Sequence, residues 1–210
     1  PDLPIHLDAV QSLGKIPFNF ETLGIELASF SLHKLGGPKG IGILLKNKAT
    51  RLEPLIHGGG QQNNLRSGTE NPALVATMAY VIERMQKNFG QNNLAVADLK
   101  LFLLAQLKQA KIKHQVISPE DAVPHIVSIA FPELRAETLL NVLAKEGMQV
   151  SIGSACSSKK SERNQVLQQL NLPQGLDQYI LRISLDKSNS QTEICDLVRI
   201  IKTALDKYAV

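Results

Sequence analysis

The sequence has few of the residues that mark disulfide-rich, metal-binding, membrane or nucleic-acid-binding proteins. Only two of its 210 residues are cysteines, and they form no Cys-x-x-Cys pair, which argues against a disulfide framework or a structural zinc site. Tryptophan is absent and aromatic residues make up 4% of the chain, so a stacking surface for nucleic acid is not expected. No apolar run approaches the roughly 20 residues of a membrane span, and no signal peptide opens the sequence.

Net charge and chain length exclude few further classes of protein. The net charge is +4 and the lysines are scattered along the chain, so no basic face is indicated. The chain is long enough for one large domain or two small ones. We therefore expect a soluble protein of the reducing cytoplasm, with no metal, membrane or nucleic-acid partner.

The most informative segment is 29–40, which reads Ser-Phe-Ser-Leu-His-Lys-Leu-Gly-Gly-Pro-Lys-Gly. Lys34 follows a short apolar strand and precedes a glycine-rich loop, so its amine is well placed to react with an aldehyde beside a flat ring. Ser31 and His33 alternate with this lysine and are predicted to offer a hydroxyl and an imidazole to a phosphate. Without further context, a solvated lysine ahead of a Gly-Pro turn explains the segment equally well.

An upstream segment supplies that context. Residues 5–11 read as a buried strand that ends in Asp8 and is followed by Gln11. Pyridoxal 5'-phosphate (PLP) needs an anion for its pyridinium, a donor near its phenolate oxygen and a lysine for its aldehyde. Asp8, Gln11 and Lys34 match these requirements, and the sequence therefore predicts a PLP site.

Two further residues have unusual surroundings. Cys156 lies in a loop of small residues with two lysines close behind it, a setting that favours an accessible thiolate. From the residues alone, a structural thiol and a reactive one are equally plausible. Arg182 interrupts an apolar strand, where its planar guanidinium would suit a carboxylate; an internal ion pair or a place on an edge strand is the alternative. Cys195 follows Ile194 in a packing context and is interpreted as structural or incidental.

The hydrophobic pattern indicates two domains, 1–90 and 91–210. Three strands are predicted up to about Lys48, then a helix from Asn71-Pro72 and a second helix after Gly90. The buried face predicted for the second helix comprises Leu94, Ala97, Leu101, Leu104 and Leu107. The remainder alternates between strands (125–131, 149–151 and 179–185) and helices (136–145, 161–170 and a last one that begins with a capping box at Ser190 and Glu193).

Four segments together resemble a known family: 6–11, 29–42, 57–71 and 151–158. They are similar to the cysteine desulfurases of the NifS/IscS type, in the class V aminotransferase group of fold-type I PLP enzymes. The resemblance implies an α/β fold, with part of the large PLP-binding domain (a mixed sheet with helices) followed by a small α+β C-terminal domain. It covers nearly the whole chain but only the second half of the family's chain, so we expect residues 1–210 alone to be inactive.

The resemblance also implies roles for individual residues. Lys34 would hold PLP, Cys156 would accept sulfur, and Arg182 would bind the substrate α-carboxylate. Thr69 would reach the phosphate of the neighbouring subunit's cofactor in a homodimer. The implied reaction converts L-cysteine to L-alanine and leaves sulfur on the enzyme as a persulfide, for a sulfur acceptor or an iron–sulfur scaffold protein.

Two local departures and two alternatives accompany the resemblance. Asp186-Lys187 stands where the family has Gly-Arg, and Gln62-Asn63 replaces a charged pair. The first alternative is another class V PLP enzyme, either a selenocysteine lyase or an aminotransferase, which would not need a thiol at Cys156. The second is a non-catalytic dimerisation or docking module.

Overall fold

The computed structural model describes residues 3–152, 170 and 172–209. The chain forms two compact units, Pro1–Phe89 and Gly90–Val210. The division falls close to the boundary expected from the sequence, and the functional identity of each unit stays a prediction. No helix within the described residues is long and apolar enough to span a bilayer.

The first unit contains a three-stranded sheet in the order β1-β2-β3. Its strands are β1 (His6–Asp8), β2 (Leu27–Ser31) and β3 (Gly42–Lys46). β1 pairs with β2 in parallel, and β2 pairs with β3 in antiparallel orientation. Because side chains alternate across a strand, one face carries the small core of Ala9, Ala28 and Phe30. Phe18 closes this core through an edge-to-face contact with Phe30, at 5.1 Å between ring centroids.

A single helix, α1 (Pro72–Gln109), follows. Its first turn is capped as predicted, because the Asn71 side-chain oxygen accepts from Leu74 N at 3.0 Å. The predicted break at Gly90 is wrong: the helix runs through this glycine, where an added Cβ would meet nothing within 4 Å.

The predicted buried face of the second half of α1 is wrong at two of its five positions. Leu94 and Leu101 are 68% and 65% exposed. The buried positions are Val96, Leu99, Leu103 and Leu107, of which Leu107 was predicted, and the predicted Leu104 packs partly against the core. Both sets have helical spacing, and packing against the core of the second unit selects the latter.

The second unit is built on the antiparallel sheet β4-β5-β6. Its strands are β4 (Gln115–Val116), β5 (Ile126–Ala130) and β6 (Ile180–Ser184). Two helices, α2 (Ala136–Lys145) and α3 (Gln191–Tyr208), contribute to the same core. The sheet residues in this core are Val127, Ile129, Phe131, Leu181, Ile183 and Leu185.

Several predicted elements of this unit are confirmed. α2 has the predicted bounds, and Gly147 follows it in the left-handed conformation at φ 79°. The capping box of α3 is present: Glu193 N donates to Ser190 Oγ at 3.2 Å, and Ser190 N donates to Glu193 Oε2 at 2.7 Å. The strand predicted over 149–151 is reduced to a single bridge at Ser151. The helix predicted over 161–170 lies outside the described residues, apart from Leu170.

Candidate active site

The parallel pairing of β1 with β2 brings two predicted site segments to the same end of the first sheet, where both strands have their carboxyl ends. Asp8 is the last residue of β1, and Ser31 is the last residue of β2. Asp8 lies opposite Ser29 in the ladder. In parallel sheets, the region beyond the carboxyl ends of the strands is where ligands bind, and Lys34 follows three residues after Ser31.

Asp8 is exposed, and β1 as a whole is less buried than predicted. The sequence pattern indicated a buried strand, but β1 has only three residues and only Leu7 among them turns toward the small core. The Asp8 carboxylate accepts a hydrogen bond from Val10 N at 3.1 Å, which fixes its orientation at the strand end. Gln11 is also exposed, and its side-chain oxygen accepts from Lys15 Nζ.

Lys34 lies in a 3-10 turn, Leu32–Leu35, that begins directly after β2. Lys34 therefore follows the strand as predicted, but the turn removes the alternation predicted for Ser31, His33 and Lys34. His33 and Lys34 are exposed, whereas Leu32 is only 2% exposed. The buried leucine anchors the turn, and the lysine amine is left accessible.

Two glycines make this turn possible. Gly36 ends it in the left-handed conformation at φ 83°, which favours glycine. Gly37 N donates to Leu32 O at 3.2 Å, and a Cβ on Gly37 would lie 2.5 Å from Leu32 Cγ. The Gly-Gly pair seen in the sequence is thus required by the backbone conformation and packing behind Lys34.

The glycine-rich loop 57–69 is closed by a serine that the sequence analysis did not single out. Ser67 is 8% exposed, and its hydroxyl donates toward the carbonyl oxygens of Ile56 and His57, each at 3.1 Å. Thr69, two residues later, is exposed. The only signal for Ser67 was its place beside Gly68 in Arg-Ser-Gly-Thr, and a small hydroxyl residue there is easily read as part of an ordinary turn.

The replaced pair Gln62-Asn63 has a distinctive backbone. Gln62, Asn63 and Asn64 have φ values of 51°, 56° and 63°, so three successive non-glycine residues adopt the left-handed conformation. Asparagine tolerates this region better than most residues. The Gln62 amide also donates to Glu70 Oε1 at 2.5 Å. This departure therefore still builds a defined turn.

Arg182 lies in β6 of the second unit, opposite Ser128 on β5. Its Nε is buried and has no hydrogen-bond partner among the described residues. A buried guanidinium nitrogen without a partner is costly, so this group is suited to receive an anion. No ion pair within the described part of the chain supports the first alternative reading of Arg182.

The backbone of Arg182 is joined to Ser151. Arg182 N donates to Ser151 O at 2.7 Å, and Ser151 N donates to Arg182 O at 3.1 Å. Cys156 itself lies outside the described residues. It follows Ser151 by five positions in the sequence.

The second departure, Asp186-Lys187, forms a compact turn ahead of α3. The Asp186 carboxylate accepts from Ser188 N at 3.0 Å and from Ser188 Oγ at 2.7 Å. Burial raises the pKa of Asp186, but the bonds from Ser188 and the nearby Lys187 charge together hold this pKa below its usual value. The departure therefore has a structural role in leading the chain into the capping box.

Cys195 is exposed on α3, which corrects the interpretation of its setting as a packed one. Ile194 is the buried neighbour, and the next helical position faces away from the core. Within the described residues, no group of three His, Cys, Asp or Glu side chains could hold a metal ion.

The family model for aminotransferase class V matches residues 2–197, and the chain belongs to this family. It is 33% identical over 207 residues to a cysteine desulfurase IscS of Dictyoglomus turgidum, covering 98% of this chain and 52% of that protein. It is 33% identical to the cysteine desulfurase NifS of Azotobacter vinelandii, covering 92% of this chain and 48% of that protein. The chain thus spans about half the length of the curated relatives it matches.

Solved structures agree with this similarity. A NifS-like protein superposes with a TM-score of 0.85 at 35% identity, covering 98% of this chain and 53% of that one. A NifS-like protein from Rickettsia africae superposes with a TM-score of 0.84 at 28% identity, covering 97% and 54%. The resemblance to the NifS/IscS type and the α/β fold class predicted from sequence are both confirmed.

Proposed function

We propose that the protein containing this chain is a PLP-dependent cysteine desulfurase, which converts L-cysteine to L-alanine and retains the sulfur as an enzyme persulfide. The observation that supports this proposal is that Asp8 ends β1 and the turn with Lys34 follows the end of the neighbouring strand β2. Asp8 and Lys34 are 26 positions apart in sequence, and the parallel β1–β2 pair brings their segments to the same carboxyl edge. The similarity to curated cysteine desulfurases supports the same function.

The described residues fit PLP. Asp8 offers an oriented anion, Lys34 offers an exposed primary amine, and Ser31 offers a hydroxyl at the end of β2. These are the groups that a protonated pyridine, an aldehyde and a phosphate require. We expect Gln11 near the phenolate oxygen and His33 near the phosphate. When bound, PLP supplies an electron sink for the bonds at the substrate Cα.

Lys34 has two successive roles in this proposal. Its amine would hold the cofactor, and the same amine would move the proton at the substrate Cα. Asp8 keeps a proton on the pyridine nitrogen, because a fixed carboxylate stabilises the adjacent cation. The anchoring of Leu32 and the Gly36-Gly37 geometry limit where the Lys34 backbone can lie.

Arg182 is proposed to bind the α-carboxylate of L-cysteine. Its unpartnered Nε supports this role, since a carboxylate would satisfy a buried donor with a charge-assisted hydrogen bond. The two backbone bonds to Ser151 fix the strand on which Arg182 lies.

Cys156 is proposed as the sulfur acceptor. Its thiolate attacks the sulfur of L-cysteine, a new S–S bond forms, and the substrate Cβ–S bond breaks. The substrate carbon skeleton gains one proton at Cβ and leaves as L-alanine, so that enzyme thiol plus cysteine becomes enzyme persulfide plus alanine. The persulfide would then pass to a sulfur acceptor or an iron–sulfur scaffold protein, and Thr69 would contact the partner subunit's cofactor in a homodimer.

The test uses the gene product that contains this sequence, purified with PLP. We expect equal amounts of alanine and protein-bound persulfide in a single turnover. Borohydride treatment should leave a cofactor adduct on the peptide that contains Lys34, and Lys34→Ala should abolish this adduct. An adduct on another lysine would contradict the assignment.

The two cysteines provide a matched pair of variants. Cys156→Ser should bind L-cysteine and form no persulfide, whereas Cys195→Ser should behave like the parent. Arg182→Gln should raise KM for L-cysteine by about 10- to 150-fold, the cost of losing a hydrogen bond to a charged group. Turnover of selenocysteine or transamination without persulfide would instead favour another class V activity, and failure to bind PLP would favour a docking module.

A further inference from the structure

A histidine beside Asp8 makes a side-chain bond that the proposed reaction leaves unused. His6 Nε2 and Ser29 Oγ are 2.6 Å apart. His6 lies two residues before Asp8 on β1, so their side chains share one face of the sheet. Ser29 lies opposite Asp8 in the parallel ladder. The His6–Ser29 bond therefore crosses from β1 to β2 at the position of Asp8.

Besides this bond, β1 is held on β2 by the parallel backbone ladder and by Ile5 N, which donates to Glu26 Oε2 at 2.5 Å. The strand has three residues and is the edge strand of the described sheet. Near its ends, Leu27 N donates to Ile5 O at 3.1 Å and Ala9 N donates to Ser29 O at 3.0 Å. The outward-facing side chains of β1 are exposed, so apolar packing on that face contributes little. The His6–Ser29 bond, at 2.6 Å, adds a side-chain link between β1 and β2 on this face.

We propose that His6 is a positioning residue, which acts through Ser29 to hold Asp8 in place at the carboxyl end of β1. The Asp8 carboxylate is bound locally by Val10 N, and this bond orients the group relative to β1 alone. The His6–Ser29 bond orients β1 relative to β2, whose end leads to Lys34. The inference rests on the proposed function only in assigning the Asp8 carboxylate to the pyridine nitrogen.

The first measurement needs no cofactor. Hydrogen exchange of the Ala9 and Val10 amides is followed in PLP-free protein, because these amides donate to Ser29 O and to Asp8 Oδ1. We expect His6→Ala and Ser29→Ala each to speed this exchange about fivefold, as expected from the loss of one net hydrogen bond. Exchange in β5 and β6 of the second unit should not change. His6→Gln, whose side-chain amide can donate or accept a hydrogen bond at similar reach, should restore most of the protection.

The second measurement is the affinity for PLP, read from the absorbance of the bound cofactor. Either single variant should weaken binding about fivefold, and the double variant should weaken it no further, because both changes remove one shared interaction. His114→Ala is the control, since it removes an imidazole bonded to the Ile112 carbonyl oxygen in the second unit. It should bind PLP as the parent does.

The outcomes separate this inference from the proposed function. Parent-like exchange at Ala9 and Val10 in both single variants would overturn the positioning role, even if PLP binds normally. Equal acceleration throughout the protein would overturn it as well, since the bond would then serve general stability. If the parent protein binds no PLP, the proposed function fails, and the exchange measurement still decides whether His6 holds Asp8.

Discussion

The turn that carries Lys34 should be intolerant of one methyl group at Gly37. In Gly37→Ala the added Cβ would lie 2.5 Å from Leu32 Cγ and 2.9 Å from Leu32 Cδ2. Ordinary carbon–carbon contacts are about 3.5–4.0 Å, so an overlap of roughly 1 Å must be relieved. Leu32 is 2% exposed, which leaves its side chain little space to move away.

The expected cost follows from overpacking. Forcing an additional methyl group into a packed site typically costs about 1–3 kcal/mol, and we expect Gly37→Ala to fall within this range. The assay is hydrogen exchange of peptides covering residues 27–46 at increasing urea concentration, which reports the local free energy of unfolding of the first unit. Exchange in the second unit serves as the internal reference.

A double variant identifies the cause. Leu32→Ala alone should cost about 2–5 kcal/mol, because it empties a buried leucine site. If the clash explains the effect of Gly37→Ala, the double variant should be about 1–3 kcal/mol more stable than the sum of the single changes. Additivity within about 0.5 kcal/mol would refute the steric explanation.

Three other predictions address different parts of the chain. Gly90→Ala should stabilise α1 by about 0.5–1 kcal/mol, measured by thermal unfolding, since its new Cβ meets nothing within 4 Å. The hydrogen bond from Ser190 N is the main reason that the pKa of the Glu193 carboxyl is lowered. This bond should therefore stabilise α3 at neutral pH, and the stabilisation should be lost as the pH falls below about 4. Acid unfolding of Glu193→Gln should lack this pH-dependent stabilisation. Because the chain spans about half the length of its curated relatives, residues 1–210 expressed alone should release no alanine from L-cysteine over repeated turnovers, and sustained release would contradict this prediction.

The features predicted correctly from sequence are those determined by neighbouring residues. The capping box of Ser190 and Glu193 lies within four positions, and its two hydrogen bonds follow from the geometry of one helical turn. Gly147 ends α2 for an equally local reason. In each case the residue type fixes the local backbone conformation, and distant packing is not needed to choose it.

The errors concern choices that only tertiary packing can make. Leu94 and Leu101 have the same helical spacing as Val96 and Leu103, and nothing local decides which pair turns toward the core. Gly90 has a low helix propensity, but one unfavourable residue costs about 1 kcal/mol and does not end a helix of 38 residues.

The candidate site illustrates the same limit. The sequence identified Asp8 and Lys34 as residue types, but the exposure of Asp8 and the 3-10 turn at Lys34 depend on a three-residue strand and on the burial of Leu32. A strand pattern continued through Lys34 would have placed successive side chains on opposite faces. The turn avoids this alternation, and so the lysine is presented from a backbone that Gly36 and Gly37 constrain.

Each unit joins residues distant in sequence through backbone pairing, and this has a consequence for how substitutions should act. Asp8 is tied to β2 through the parallel ladder, and Arg182 is tied to Ser151 through two reciprocal backbone hydrogen bonds. Backbone bonds are insensitive to side-chain identity unless proline or steric overlap intervenes. Most substitutions beside Arg182 should therefore change chemistry without moving its strand, whereas Ser151→Pro would remove the donor to Arg182 O at 3.1 Å. We expect that variant to weaken L-cysteine binding even though Arg182 itself is unchanged, and an unaltered KM would show that the bridge does not position the guanidinium.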